Sequence, residues 1–321
     1  MNTMQALQWD GLRLHVQRVP VPEPAPGEAL IRVTRAGICN TDLEILRGYY
    51  PFNGTLGHEF VGVVETAPDQ HLVGKRVVSD INASCHQCPP CLAGHPHHCE
   101  RRTALGIKGR DGAFAEYLVT PMENLVQVPD AVADDQAVFA EPLAAALEIQ
   151  EQVDLPHGGE VAVVGDGKLG LLITMTLAAT GCEVHLVGHH GERLAGMDLG
   201  GNVVFHAHAP SRQFGVVVEA TGNPAGFDDA LRLTAPRGTL VLKSTYKDPL
   251  NFNPGPLVVN EITLVGSRCG PMERAVALLA AGKINPAQLV NITMPLADAV
   301  AAMDCAGRKG TLKVLLAIPG Q

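Results

Sequence analysis

Along the first 140 residues the apolar positions come in short runs cut by Gly and Pro; beyond that they shift to helical spacing and then to longer unbroken runs. The early runs LRLHV, EALIRV, EFVGVVE, GKRVVSD and AEYLVTP have strand length and turn-forming boundaries, the texture of a small β barrel. PVPEPAPGE (20–28) carries too many prolines for a helix interior and is expected to be an extended loop. The change comes near residue 134, where DDQAVFAEPLAAALEIQEQV offers an acidic helix start and then Ala and Leu at helical spacing. A domain junction is expected there.

VAVVG (161–165), a Gly-rich turn, LGLLITMTLAATG and EVHLVG (183–188) then read as strand, helix, strand. A βαβ unit of this kind implies a parallel sheet covered on both faces, hence an α/β domain. FGVVVEATG, GTLVLKST and NEITLVGS supply further strands, with AGFDDALRLTA as a helix between them. After residue 268, PMERAVALLAAGK and LADAVAAMDCA are helical and TLKVLLAIP is a closing strand. No repeat or low-complexity segment interrupts the chain.

Composition narrows the class. With 321 residues, 46% of them hydrophobic and 18% charged, two ordered domains with full cores are expected. A net charge of -9 without a basic stripe argues against nucleic acid as a partner. The N-terminus lacks the charged and apolar regions of a signal peptide, and no apolar stretch is long enough to span a bilayer, so a soluble cytoplasmic protein is expected. In that reducing compartment the eight cysteines should be thiols or metal ligands.

Four of them, Cys85, Cys88, Cys91 and Cys99, form C-x2-C-x2-C-x7-C. Cysteines three apart can turn their sulfurs to one point, and four thiolates make a closed tetrahedral shell for structural Zn(II). An iron–sulfur cluster is the rival, but ferredoxin spacing has the fourth cysteine after three residues and before Pro, whereas here the gap is seven and Glu100 follows. Four unliganded thiols are the remaining alternative. His86, His95, His97 and His98 in the same loop, and Arg101 and Arg102 just after it, are expected to face solvent.

Cys39 in GICNTDLEI and His58 in TLGHEFVGVVE are too far apart for a local finger. A thiolate, an imidazole and a carboxylate with water would make an open, catalytic zinc; taken alone, a buried thiol beside a surface His-Glu pair explains the same residues. The Gly165-Asp166-Gly167-Lys168-Leu169-Gly170 turn is G-x-G-x-x-G between a strand and a helix, the pattern that cradles a dinucleotide diphosphate. Asp166 is an odd neighbour for a diphosphate, yet it can point to solvent.

Together GICNTDLE, GHEFVGVVE, CHQCPPCLAGHPHHC, GAFAEYLV, FAEPLAAAL, VAVVGDGKLG, EATG and KVLL resemble, in order and over essentially the whole chain, the zinc-containing medium-chain alcohol and polyol dehydrogenases. The resemblance implies a GroES-like β-barrel catalytic domain (1–140 and 269–321), a Rossmann nucleotide-binding domain (141–268), and an active site in the cleft between them. Carried over by position, Cys39 and His58 are zinc ligands. The third is Glu141, where some relatives have Cys, or Glu59, which exchanges with it in the polyol branch. Asp42 matches a carboxylate that orients the histidine ligand, and Thr41 the hydroxyl that takes the substrate proton. Glu44 stands where the family often has His, so the outward proton path would run through a carboxylate or directly to water.

The second strand of the nucleotide domain ends Gly188-His189-His190, with Arg193 beyond and no carboxylate for a ribose 2′-hydroxyl. That favours NADP(H) over NAD(H). Thr221 and Gly222 match the turn beside the nicotinamide, and ITLVGS matches the edge strand through which the family forms dimers or tetramers. The implied activity is reversible hydride transfer between the carbon of a small-molecule alcohol and nicotinamide C4, interconverting the alcohol and its carbonyl, with two zinc ions per chain. A zinc-independent reductase of the same superfamily and a non-catalytic, cofactor-binding redox sensor are the alternatives. GYYPFNGTLG looks polyol- or threonine-dehydrogenase-like. Tyr49, Tyr50, Phe52 and Phe114 read as core or loop packing, with a substrate pocket as the other possibility.

Overall fold

The computed structural model describes residues 2–156, 158–245 and 249–318 and divides into two compact units. One comprises Met1–Glu141 with Leu289–Gln321, the other Pro142–Gln288. The second crossing therefore comes at Leu289 rather than at 269, where the sequence placed it. The helix Met272–Ala280 stays with the second unit because Arg274 hydrogen-bonds Gln150 at 3.2 Å and pairs with Glu151. Gly270 also lies against the Ala144 carbonyl, where any side chain would collide.

The first unit is built on a seven-stranded sheet whose order runs Leu125–Gln127, Arg76–Ser79, Glu59–Thr66, Glu28–Gly37, Lys313–Ala317 and Val290–Pro295, with Tyr117–Pro121 also paired to Glu28–Gly37. The barrel-like strand texture is realised. The strand Thr3–Trp9 was not legible, because its polar positions at Thr3, Gln5 and Gln8 conceal the buried Met4, Ala6 and Leu7. The closing strand is Lys313–Ala317; Pro319 of TLKVLLAIP lies outside the described residues. The acidic helix start at 134 is split into Asp134–Ala137 and Ala140–Gln152. Arg76 and Thr34 bind Asp134, and Arg35 binds Asp135, fastening this segment to the sheet.

The second unit is a six-stranded, wholly parallel sheet. Numbered along the chain its order is 3-2-1-4-5-6: Val203–His206, Glu183–Val187, Glu160–Val164, Phe214–Glu219, Thr234–Leu242 and Thr263–Gly266. Val161 to Val164 and Val184 to Val187 are all buried, so both faces are covered, as a parallel sheet with crossover helices requires. Phe227, Ala230 and Leu233 of the helix Pro224–Leu233 close one face over Ala162, Val164, Val217 and Leu240. In this order the chain reverses direction between the first and fourth strands, where ligands of such sheets bind beyond the strands' carboxyl ends. Among the described residues no helix is long and apolar enough to cross a membrane.

Candidate active site

In the first unit the strand Glu28–Gly37 leads through Ile38 to Cys39, which caps the short helix Asn40–Leu46. Asp42, the third residue of that helix, is fully buried. Its Oδ2 accepts from the Cys39 backbone N–H at 2.8 Å and its Oδ1 from that of Gly57 at 3.3 Å, while Oδ1 also lies 3.4 Å from His58 Nδ1. One carboxylate thus fixes the loops that present both Cys39 and His58, a role an exposed loop aspartate could not fill. Burial alone would lower the His58 imidazolium, but the Asp42 and Cys39 charges outweigh it and hold the pKa well above the ordinary value. The pocket is therefore electronegative and suited to a cation.

Cys39, His58 and Glu59 bring one donor atom each to within 4.8 Å of one another. A sulfur, an imidazole nitrogen and a carboxylate oxygen so arranged fit a tetrahedral zinc that keeps one position open. Glu59 is the carboxylate of this compact group. Its Oε2 is ion-paired with Lys313 Nζ, and both side chains are almost wholly buried, at 1% and 2% exposure. Gly37 faces Glu59 across the strand pair, and a side chain there would meet Glu59 Oε2 at 2.6 Å and Lys313 Cε at 2.9 Å. The glycine leaves the slot through which the lysine reaches the carboxylate, and the ammonium lies 5.3 Å over the Phe139 ring.

Glu141 lies at the start of the helix Ala140–Gln152, half-buried and outside the compact group. Burial pushes its carboxyl up to about 7; His58 and Lys313 oppose the rise, while Glu59 and Asp80 add to it. Thr41 Oγ1 is 3.7 Å from Cys39 Sγ, beside the donors. Glu44 is turned elsewhere, its Oε1 pairing with Arg47 Nη1 at 2.6 Å on the same helix. Of the aromatic residues, Phe114 is fully buried against Gly57 and belongs to the core, and Tyr49 is exposed. Tyr50 and Phe52 line a cavity of about 280 Å³ with Trp9, Ile45 and Asn53.

Cys85, Cys88, Cys91 and Cys99 form a second donor group, none of the four in a disulfide. Cys88 Sγ lies 3.4 Å from Cys91 Sγ and 3.8 Å from Cys99 Sγ, near the edge of about 3.8 Å expected of a tetrahedron with bonds of about 2.3 Å. The backbone N–H of Gln87 holds the Cys85 thiol down to about 6. The neighbouring side chains are more engaged than the sequence suggested. His97 Nε2 is 2.6 Å from Asp80, His86 Nε2 is 2.6 Å from Glu123, and Arg102 donates to Asn82 at 2.7 Å. A hydrogen bond to Cys85 raises the Arg101 guanidinium pKa. No histidine joins the four sulfurs in this donor group. Cys99→Ser should remove one equivalent of zinc and open residues 85–99 to proteolysis; wild-type zinc content in the variant would overturn the closed-shell assignment.

In the second unit the turn after Glu160–Val164 is shaped by its glycines. Gly165 has φ +119, and a Cβ on Gly170 would meet the Gly165 carbonyl oxygen at 1.9 Å, so the helix Lys168–Ala178 starts directly against the strand. Gly167 caps that helix, and a Cβ there would project into open space. An open cradle at a helix N-terminus suits a diphosphate. Asp166 does not point to solvent. It is 7% exposed, and its Oδ2 accepts from the His189 and His190 N–H groups at 2.9 and 2.7 Å, with His190 Nδ1 at 3.1 Å. Burial would raise its carboxyl pKa, but these contacts hold it below the usual value. The end of Glu183–Val187 therefore does have a carboxylate, supplied from the Gly-rich turn against Gly188. Arg193 lies in the helical turn Gly191–Leu194, anchored by its N–H to the His190 carbonyl.

Two family descriptions match the sequence: the alcohol dehydrogenase GroES-like domain over residues 25–130 and the zinc-binding dehydrogenase domain over 169–281. The chain belongs to the zinc-binding alcohol dehydrogenase family. It is 34% identical over 239 residues to an L-threonine 3-dehydrogenase of Xanthomonas campestris, spanning 67% of this chain and 69% of that one. A Sinorhizobium meliloti 1021 protein described as a zinc-binding dehydrogenase, solved with NADP, superposes with TM-score 0.90 at 29% identity, covering 99% of this chain and 100% of its own. RspB of Escherichia coli CFT073, solved with NADH, gives TM-score 0.87 at 27% identity, covering 98% and 99%.

Sequence reasoning missed the surroundings of three buried side chains beside these candidate sites. Lys313 was read only as part of a closing strand, since its partner is 254 positions away. Asp166 was seen but aimed wrongly. Glu219, just before Thr221-Gly222, is wholly buried, and its Oε1 accepts from Thr221 N and Oγ1, both at 2.6 Å, and from Gly222 N at 3.2 Å. The Glu in EATG was the available signal, as a carboxylate just before a Gly turn often binds that turn's N–H groups.

Proposed function

We propose that this chain is a zinc-dependent, NAD(P)-linked oxidoreductase that interconverts a secondary alcohol or polyol with its ketone or aldehyde. The observation that carries the reading is the convergence of Cys39, His58 and Glu59 beside Thr41, with Asp42 buried behind them. When bound, zinc would supply Lewis-acid polarisation of the alcohol or carbonyl oxygen, and the nicotinamide would supply the hydride acceptor or donor.

The chain's own residues do the rest. Asp42 holds His58 in place, Lys313 balances the Glu59 charge, and Thr41 is placed to receive the alcohol proton. Gly167 gives the diphosphate access to the helix N-terminus, while Glu219 fixes the Thr221-Gly222 turn. Glu59 is the third protein ligand and Glu141 a nearby carboxylate. The test is metal analysis of the purified protein followed by a screen of secondary alcohols, polyols and amino alcohols with both cofactors. About two zinc per chain with turnover is expected. About one, with added zinc filling no second site, would shift the reading to a zinc-independent reductase.

NADP(H) is the proposed cofactor, because His189, His190 and Arg193 cluster at the ribose end of the site and Asp166 is already occupied by His190 and two N–H groups. The NADP-bound relative supports this and the NADH-bound one opposes it. We expect kcat/KM to be higher for NADPH than for NADH, and Arg193→Ala to cut the ratio by about tenfold, the worth of one charged hydrogen bond. A strong NADH preference in the wild type would overturn the assignment. The protein is also proposed to be a cytoplasmic homodimer or homotetramer paired through Thr263–Gly266, an edge strand whose Leu264 is 42% exposed. Light scattering giving a monomer would refute the pairing.

A further inference from the structure

A second polar cluster in the nucleotide unit is used by neither the metal sites nor the cofactor turn. Glu160 and Glu183 open neighbouring parallel strands and stand opposite each other in register. His185 follows Glu183 by two positions and shares its face. His206 closes the next strand, two positions beyond Val204, which is the register partner of His185. His185 is 3% exposed, whereas the two glutamate side chains are 40% and 33% exposed.

The atoms converge on one point. Glu183 Oε1 lies 3.1 Å and Glu160 Oε1 3.6 Å from His185 Nε2. The other oxygens are taken, Glu160 Oε2 by Arg212 and Glu183 Oε2 by Asn202 Nδ2 at 2.5 Å. On its far side His185 Nδ1 is 2.9 Å from His206 Nε2, with the two rings stacked 5.1 Å apart. Phe214 packs against the His185 ring at 4.7 Å, and Arg212 lies over Phe214 at 5.0 Å. The imidazole is therefore fixed on both sides.

Two carboxylates side by side on adjacent strands repel one another. A single N–H at His185 Nε2 can be given to only one of them. His206 Nε2 lies 2.9 Å from His185 Nδ1, within reach to accept a proton donated there. If His185 donates its Nδ1–H there, its Nε2 presents a lone pair to the point where the two carboxylate oxygens already meet. A ring nitrogen facing a ligand position while the other ring N–H is tied to an acceptor is the usual setting of a metal-bound imidazole.

We propose that Glu160, Glu183 and His185 form a further divalent-cation site, with water completing the shell. One nitrogen and two oxygens, without sulfur, suit Zn²⁺, Co²⁺ or Ni²⁺. His206 is a positioning residue that fixes the tautomer of His185. The glutamates sit at the amino ends of their strands, opposite to the Gly165 turn, so a bound ion ties two strands together and does not meet the cofactor.

The experiment is a Co²⁺ titration of the full-length chain after its sulfur-containing sites are filled with zinc and excess metal is removed. One further equivalent is expected, with weak visible bands and without the intense near-ultraviolet absorption that thiolate ligation produces. Glu160→Gln and Glu183→Gln, both at partly exposed side chains, should each lose that equivalent while keeping wild-type zinc content and circular dichroism. His206→Phe should weaken it by about tenfold or more. The same equivalent should appear in Cys39→Ser, which separates this site from the proposed catalytic one. No further equivalent in the wild type would overturn the proposal, as would unchanged Co²⁺ binding in both glutamine variants.

Discussion

Replacing Cys39 with serine is expected to lower kcat/KM by about a thousandfold or more while leaving the melting temperature of the metal-free protein nearly unchanged. Lewis-acid stabilisation at a catalytic zinc contributes several kcal/mol to the transition state, and each 1.36 kcal/mol is about a factor of ten. Serine keeps the local fold because residue 39 is the N-cap of Asn40–Leu46, and a hydroxyl caps a helix at least as well as a thiol. Asp42 continues to accept the backbone N–H of residue 39, so the loop geometry survives the loss of sulfur. Zinc content should fall by one equivalent, with the four-cysteine group untouched. Steady-state kinetics, elemental analysis and a thermal melt decide the matter together. Activity within tenfold of wild type would end the assignment of Cys39 as a ligand. Equal losses of activity and stability would mark it as a packing residue instead.

What the sequence disclosed and what it hid follow from the range of the interactions involved. The βαβ unit was legible because VAVVG, the glycines and EVHLVG are contiguous, and each carries its own local reason for strand or turn. The four-cysteine group was legible for the same reason, since ligand spacing within 85–99 is a local property. The Cys39, His58 and Glu59 group needed the resemblance to be seen, because these side chains meet only when Glu59–Thr66 pairs with Glu28–Gly37. That Glu59 and not Glu141 lies within 4.8 Å of the Cys39 and His58 donors could be read only from coordinates, as adjacency in sequence says nothing about which oxygen comes near the sulfur. Asp166 was misjudged because a charge beside a phosphate site suggests exposure, yet three N–H groups from another loop were there to receive it. The return point at 269 was misjudged because Met272–Ala280 is an ordinary amphipathic helix. Its pattern shows that one face is buried, but not which unit buries it.

Lys313→Met is expected to destabilise the metal-free protein by about 3–5 kcal/mol, the cost of leaving one member of a buried ion pair without its partner. Glu59 and Lys313 are among the least exposed charged groups of their unit, and Gly37 keeps clear the space in which they meet. Methionine matches the lysine stem in length and fills the slot, so the loss reports charge rather than packing. Lys313→Met combined with Glu59→Gln should regain most of the lost stability, because no buried carboxylate then lacks a counter-charge. Glu59→Gln alone should cost less than Lys313→Met, because the ammonium keeps the Phe139 ring at 5.3 Å. Zinc should rescue Lys313→Met more than the wild type, since an ion binding only the folded state stabilises it by mass action and the unpaired carboxylate binds it more tightly. Urea unfolding of the four proteins, with chelator and with saturating zinc, supplies every term of this cycle. If Lys313→Met and the wild type unfold at the same urea concentration in chelator, the pair is not an electrostatic element of the site. If the double variant is no more stable than Lys313→Met, the loss arises from packing of the stem. A larger zinc-dependent shift in Lys313→Met than in the double variant identifies Glu59 as the carboxylate that the lysine holds in check.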